Sequence, residues 1–218
     1  MRRWGVLVCA GALLGAAFLM TGHAESQDQP ASMQQPTPEQ MQEMMAKWIA
    51  TIDPGPHHKI LEHSVGSWTT TTKVWMGGPG SPPIETMGAS EIKWILGGRF
   101  LLEEHHGKML MPDKTGQMKP APYEGLGLLG YDNARNMYEG IWTSTADTHI
   151  ISMKGGFDPS GKVLRMYGEM DEPMLDIVGR TVKYVTRIID KDTHVFEVYD
   201  LHAGDDYKVF EITYIRKK

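Results

Sequence analysis

The residues most able to do chemistry are the histidines, nine in all. Imidazole can bind a metal, carry haem or move a proton near neutral pH. His23 falls in an apolar leader described below; the spacing of the others argues against a shared metal. His105 and His106 are adjacent in a segment of strand pattern and point to opposite faces. His57 and His58 diverge around a helix, and no H-E-x-x-H spacing occurs. His58 and Glu62 stand at i, i+4, but a zinc site needs roughly three or four convergent ligands, so each histidine is expected to be structural or superficial. Haem would need only one inward histidine, and His149, His202 or one of the 105/106 pair could supply it. No motif fixes such a ligand, and no cofactor is expected.

Nucleophilic catalysis finds no better support. The single cysteine, Cys9, lies in the leader, and no G-x-S-x-G elbow is present. The carboxylate pairs Glu103-Glu104, Asp171-Glu172 and Asp205-Asp206 read as solvated surface, because neighbours on a strand diverge and the last pair sits in a turn. One inward carboxylate could still be tuned by burial, which keeps an enzyme as the alternative reading without an assigned base. The polar set with the most to offer is Arg99, Glu103 and His105, which alternate with Leu101 after the Gly97-Gly98 turn. Were that face inward, the three could hold a carboxylate or hydroxyl deep in an apolar cavity. Phe100 and Leu102 pack better than Arg99 and Leu101, so the opposite face is expected inside, with Arg99 a surface ion-pair partner.

Positioning these side chains falls to strands, and residues 123–142 show the pattern most clearly. Two β-prone, aromatic-bearing runs flank turn residues Asp132 and Asn133. Alternation puts Tyr123, Gly125, Gly127, Leu129 and Tyr131 on one face. If Tyr131 pairs with Tyr138, Gly127 faces Trp142, and the indole would cover bare backbone; a slip of one residue would remove the pairing. Tyr131, Tyr138 and Trp142 are therefore placed near a pocket, although Trp68, Trp75, Trp94, Tyr138 and Trp142 as a set have the composition of an ordinary core.

The rest of the chain supplies the frame. Arg2 and Arg3 precede an apolar run over 4–20, and Gly22 and Ala24 suit a cleavage site, so residues 1–24 read as a signal peptide cut after Ala24. That implies a periplasmic or secreted protein with no membrane span after cleavage. Without the leader the chain has no cysteine, and its formal charge moves from −5 to −7 as Arg2 and Arg3 leave. No basic face suits nucleic acid. Residues 25–37 read as a flexible tether, and 38–65 as a helical lead-in. Thr37, Pro38 and Gln40 form a capping box and helix start, and Met41, Met44, Met45, Trp48, Ile49 and Ile52 form an apolar stripe expected to pack on the core rather than serve as a partner groove. From 66 to 218, about ten short strands follow one another with turns between them and no helical pattern. The expected fold is mainly β: an antiparallel up-and-down barrel of the calycin or lipocalin kind. The stretches 111–122 and 173–180 are read as loops at its mouth.

Several spaced motifs agree with that architecture. Gly66-Ser67-Trp68, Gly97-Gly98-Arg99-Phe100-Leu101, Tyr123-Glu124-Gly125, Gly130-Tyr131-Asp132-Asn133, Trp142, His194-Val195-Phe196-Glu197 and Ile212-Thr213-Tyr214-Ile215-Arg216-Lys217 occur in this order. Together they resemble the exported bacterial domain of unknown function 1579 family, over roughly residues 56–217, and the resemblance implies a lipocalin-like barrel. The chain departs from that pattern at Thr143-Ser144-Thr145-Ala146-Asp147 and before Tyr123. The expected role is binding a small apolar molecule inside the barrel, with oligomeric state unspecified; a haem-binding barrel or a cell-envelope interaction module are the further alternatives.

Overall fold

A computed structural model describes residues 35–172 and 176–218. The signal peptide expected at 1–24 and most of the tether expected at 25–37 lie outside the described residues, as does part of the stretch 173–180.

Helix α1 spans Pro38–Ile52 and begins as its sequence dictates. Thr37 Oγ1 accepts from Gln40 N at 3.3 Å, and Gln40 Oε1 accepts from Thr37 N at 2.9 Å. Its apolar stripe, however, does not pack on the barrel. Met41, Met44, Met45, Trp48, Ile49 and Ile52 are 40–57% exposed, which corrects the expectation of core packing. The reason lies in the next segment. Helix α2 (Pro56–Ile60) and a 3₁₀ turn (Leu61–Ser64) already cover that end of the barrel, with Leu61 only 1% exposed and part of the core. What holds the end of α1 is polar: Asn133 Nδ2 donates to the carbonyls of Ala50, Thr51 and Asp53, at 3.3, 3.2 and 2.8 Å.

Ten strands follow: β1 (Gly66–Val74), β2 (Ile84–Ile95), β3 (Phe100–Pro112), β4 (Met118–Asp132), β5 (Met137–Ser144), β6 (Ile151–Phe157), β7 (Val163–Glu172), β8 (Ile177–Asp190), β9 (Thr193–Asp200) and β10 (Lys208–Arg216). Each pairs antiparallel with its neighbours in sequence, and β1 pairs with β10, so the sheet closes into a barrel. The expected register of the central hairpin holds: Tyr131 opposes Tyr138, Leu129 opposes Gly140 and Gly127 opposes Trp142. Its turn forms where Asp132 Oδ1 accepts from Ala134 N and Arg135 N, at 2.8 and 3.0 Å. The stretch 111–122 is a different matter. It is mostly strand, because β3 and β4 continue pairing out to Pro112 and Met118, leaving only a tight turn in which Asp113 Oδ1 accepts from Thr115 N and Gln117 N.

In a meander the odd-to-even connections gather at one end and the even-to-odd connections at the other. The lead-in closes the second end. There Trp68 Nε1 donates to Ser64 O at 2.8 Å, and the Arg216 guanidinium, 4.1 Å above the Trp68 ring, donates to the carbonyls of Val65 and His63, both at 2.6 Å. The connections β1–β2, β3–β4, β5–β6, β7–β8 and β9–β10 form the loop end.

Since α1 buries none of its residues, a chain starting at Asp53 should keep the barrel's thermal midpoint within a few degrees, roughly the shift that corresponds to less than 1 kcal/mol. Thermal unfolding followed by circular dichroism checks this, and a large loss would place α1 in the cooperative core.

Candidate functional site

The barrel encloses a cavity of about 810 Å³ that runs from the lead-in to the loop end. Its walls are largely apolar, with Leu61, Ile92, Leu101, Leu129, Met153, Leu164, Met166, Val198 and Ile212 among the residues that border it. At the loop end Met76, Lys108, Asp147, Arg180 and His202 also border it, and Arg180 Nη1 is held by Asp200 Oδ2 at 2.7 Å.

Three of the six residues singled out in the sequence meet on this wall: Glu103, His105 and Trp142. The other three stand elsewhere. Arg99 lies just before the start of β3, outside the barrel, 3.7 Å from Asp53 and bonded to the carbonyl of Leu96 at 3.3 Å. Tyr131 stacks on His57 with ring centroids 4.3 Å apart, and Tyr138, 2% exposed, donates from its hydroxyl to His57 O at 2.9 Å. Both tyrosines hold the lead-in against the closed end and do not border the main cavity. The strand faces also reverse an expectation. Leu101, Glu103 and His105 point inward while His106 is exposed, because pairing of β3 with β2 and β4 extends the full strand and its parity is set by Leu101 in the core. Arg99 escapes the alternation by preceding the strand.

Glu103, which with Glu104 had the look of solvated surface, instead faces the cavity. Its Oε1 accepts from Ser90 Oγ at 2.5 Å and from Tyr214 OH at 3.0 Å. Burial pushes its pKa up, and the two hydrogen bonds oppose that shift. Glu104 faces out to Lys93 Nζ at 2.7 Å, whose hydrogen bond lowers its pKa. His105 is 4% exposed, its Nδ1 has no partner among the described residues, and burial holds its pKa down at about 4. Nearer the lead-in, His194 stacks on Tyr214 at 4.3 Å and meets Trp68 edge-on at 4.5 Å. It too is 4% exposed, with a pKa lowered to about 3, mainly by burial. Of the other histidines weighed as haem ligands, His149 pairs with Asp171 at 3.8 Å and His202 sits at the loop end. No cluster of three or more potential metal ligands exists among the described residues.

Glycine makes room for the aromatic part of this wall. The Trp142 indole lies over β4 so closely that a Cβ on Gly125 would collide with its Cζ2, and one on Gly127 would lie 2.9 Å from its Cε3. Trp142 Nε1 donates to Tyr123 OH at 3.0 Å. The indole is thus both a cover for bare backbone and part of the cavity wall. Tyr214, His194, Ser90 and Thr70 were not singled out beforehand. The alternation Phe210, Ile212, Tyr214 could have flagged the first; Thr70 sits in a run of four threonines, where alternation leaves no contrast between faces.

Two outcomes follow. Gly125→Val should cost about 1–3 kcal/mol through overpacking, with a shift of tryptophan emission, and Trp142→Ala should recover part of that loss in the double variant; Gly156→Ala, where a Cβ meets nothing, serves as the neutral comparison. The second concerns acid. His105 and His194 titrate below their ordinary value of 6.5 when folded, so the unfolded chain takes up protons that the fold refuses. Their stabilisation is complete above that value and is lost as the pH falls from it toward the folded values. Each should contribute a loss of about 2 kcal/mol over the first ~1.5 pH units. Urea midpoints across that range measure it, and His194→Gln should flatten the decline.

The barrel itself is shared with other proteins. The crystal structure of Rv2717c from M. tuberculosis is 16% identical, at a TM-score of 0.51 over 76% of this chain and 100% of that one. The S-type phycobiliprotein lyase CPES from Guillardia theta is 11% identical over 78% of this chain and 97% of that one, at 0.45. A redesigned beta barrel, b11L5F_LGL, is 11% identical over 74% and 96%, at 0.35. At 16% identity the likeness to Rv2717c is one of fold. No curated protein matches the chain. The sequence itself carries the stronger relation: residues 53–216, which take in α2, the 3₁₀ turn and every strand of the barrel, match the family described as "Protein of unknown function (DUF1579)", and the chain belongs to that family.

Proposed function

We propose that this protein binds one small, largely apolar molecule inside the barrel. The observation that carries the reading is the cavity. At about 810 Å³ it falls within the roughly 300–1,000 Å³ of small-molecule sites, and its few convergent polar groups on an apolar wall match their composition. A barrel of this strand number can instead be filled by its own side chains. Here the interior is left open, although the Trp142 indole takes up the room beside Gly125 and Gly127. An enzyme working in the same space is the second reading, favoured by the meeting of two ionisable groups, Glu103 and Tyr214, beside His105. The leader read at 1–24 would put either activity in the periplasm or outside the cell.

Native mass spectrometry of protein purified from its own host should show a bound small molecule. The emptied protein should take up N-phenylnaphthylamine with a rise in its fluorescence, and Val198→Trp, which projects an indole into the cavity, should weaken uptake while leaving the circular dichroism unchanged. An empty barrel that takes up no apolar probe would sink the reading.

A further inference from the structure

If the cavity binds a ligand, the charge of its inner wall says something about that ligand's head group. Glu103 is the one carboxyl midway along the barrel interior, and no Lys, Arg or His nitrogen lies within 4.0 Å of it among the described residues. The cations that border the cavity are engaged or remote. Arg180 is paired with Asp200 at 2.7 Å, and Lys108 stands five residues further along β3, about 17 Å at the usual strand rise. Arg99, which could have turned this face into a carboxylate site, is outside the barrel. His105 is kept uncharged by burial. A carboxyl in such surroundings loses its hydration, and its two neutral donors, Ser90 and Tyr214, offset only part of that loss.

Aromatic rings stand around the same point. Glu103 opposes Gly127 across the β3–β4 ladder, and Gly127 opposes Trp142 across the next. A Cβ on Gly127 would lie 3.5 Å from Glu103 Cβ and 2.9 Å from Trp142 Cε3, so the indole takes up the room beside Gly127 and stands next to Glu103 on one stretch of the cavity wall. Tyr123, bonded to the indole nitrogen, and Tyr214, bonded to the carboxyl, add two more rings to the wall. A buried carboxyl beside aromatic faces is the chemistry that recognises an ammonium group: the cation stabilises the ionised carboxylate that burial alone disfavours, through a charge-assisted hydrogen bond, and is itself attracted to the ring quadrupoles.

From this arrangement we infer that the barrel's ligand is an apolar amine, with its protonated nitrogen seated between Glu103 and the rings of Trp142, Tyr123 and Tyr214 and its apolar body lying along the Leu101–Met153–Met166 wall. The inference rests on the cavity reading above and adds the sign of the charge. A fatty acid or other carboxylate finds no cationic partner beside Glu103 at this depth, and an alcohol makes the hydrogen bond without the charge.

Isothermal titration calorimetry at neutral pH with n-octylamine, n-octanol and octanoate tests it on the full protein. Octylamine should bind at least about tenfold tighter than either of the others, a difference of about 1.4 kcal/mol. Glu103→Gln, isosteric and uncharged, should abolish that preference while octanol binds as before, with circular dichroism confirming the fold. Octanol or octanoate binding as tightly as the amine would overturn the charge assignment while leaving the cavity reading intact, as would a preference that survives Glu103→Gln. Binding by none of the three would overturn both.

Discussion

The β1–β10 ladder joins the first strand of the domain to the last, and the rest of the structure depends on that closure. Once ten antiparallel strands form one ring, no edge remains to be protected, and the side chains of every strand divide by parity into a wall facing water and a wall facing inward. A ring of that size encloses more room than these side chains occupy. The cavity is therefore a consequence of strand number, while the glycines of β4 let the Trp142 indole lie against the wall.

A closed ring still has two open ends, and the chain treats them differently. One is sealed by the lead-in, where Leu61 enters the core and Arg216, reaching back from the last strand over Trp68, binds the carbonyls that end the 3₁₀ turn. Tyr131 and Tyr138 serve the same seal by gripping His57. With that end occupied, α1 has nothing apolar left to cover, and its methionine stripe stays in solvent. The opposite end consists of strand connections, and the cavity extends to it.

Inside, polar groups are sparse and each has a physical cost. Glu103 is stabilised by two hydroxyl donors, while His105, His194, Thr70 and Tyr184 each leave one buried polar atom without a partner among the described residues. Native proteins leave few such atoms unpaired. Three of the four, on His105, His194 and Tyr184, belong to residues that border the cavity.

Much of this could be read from residue order alone, for reasons that are local. Threonine, valine and aromatic residues in short alternating runs specify strands, Asp132 specifies its own turn, and Thr37-Pro38-Gln40 specifies the start of a helix, because each signal acts within a few residues. The Gly127–Trp142 pairing was legible because a tight turn fixes its register. Strand parity at Arg99–His105 was not, since Phe100 and Leu102 are as apolar as Leu101 and the choice is made by which neighbour each strand meets. Nor could helical periodicity in α1 say whether any surface remained for it to cover. Residue order therefore determined the elements, the meander and the family; only closure of the ring decided which side chains share the interior, because parity and cavity volume are properties of all ten strands together.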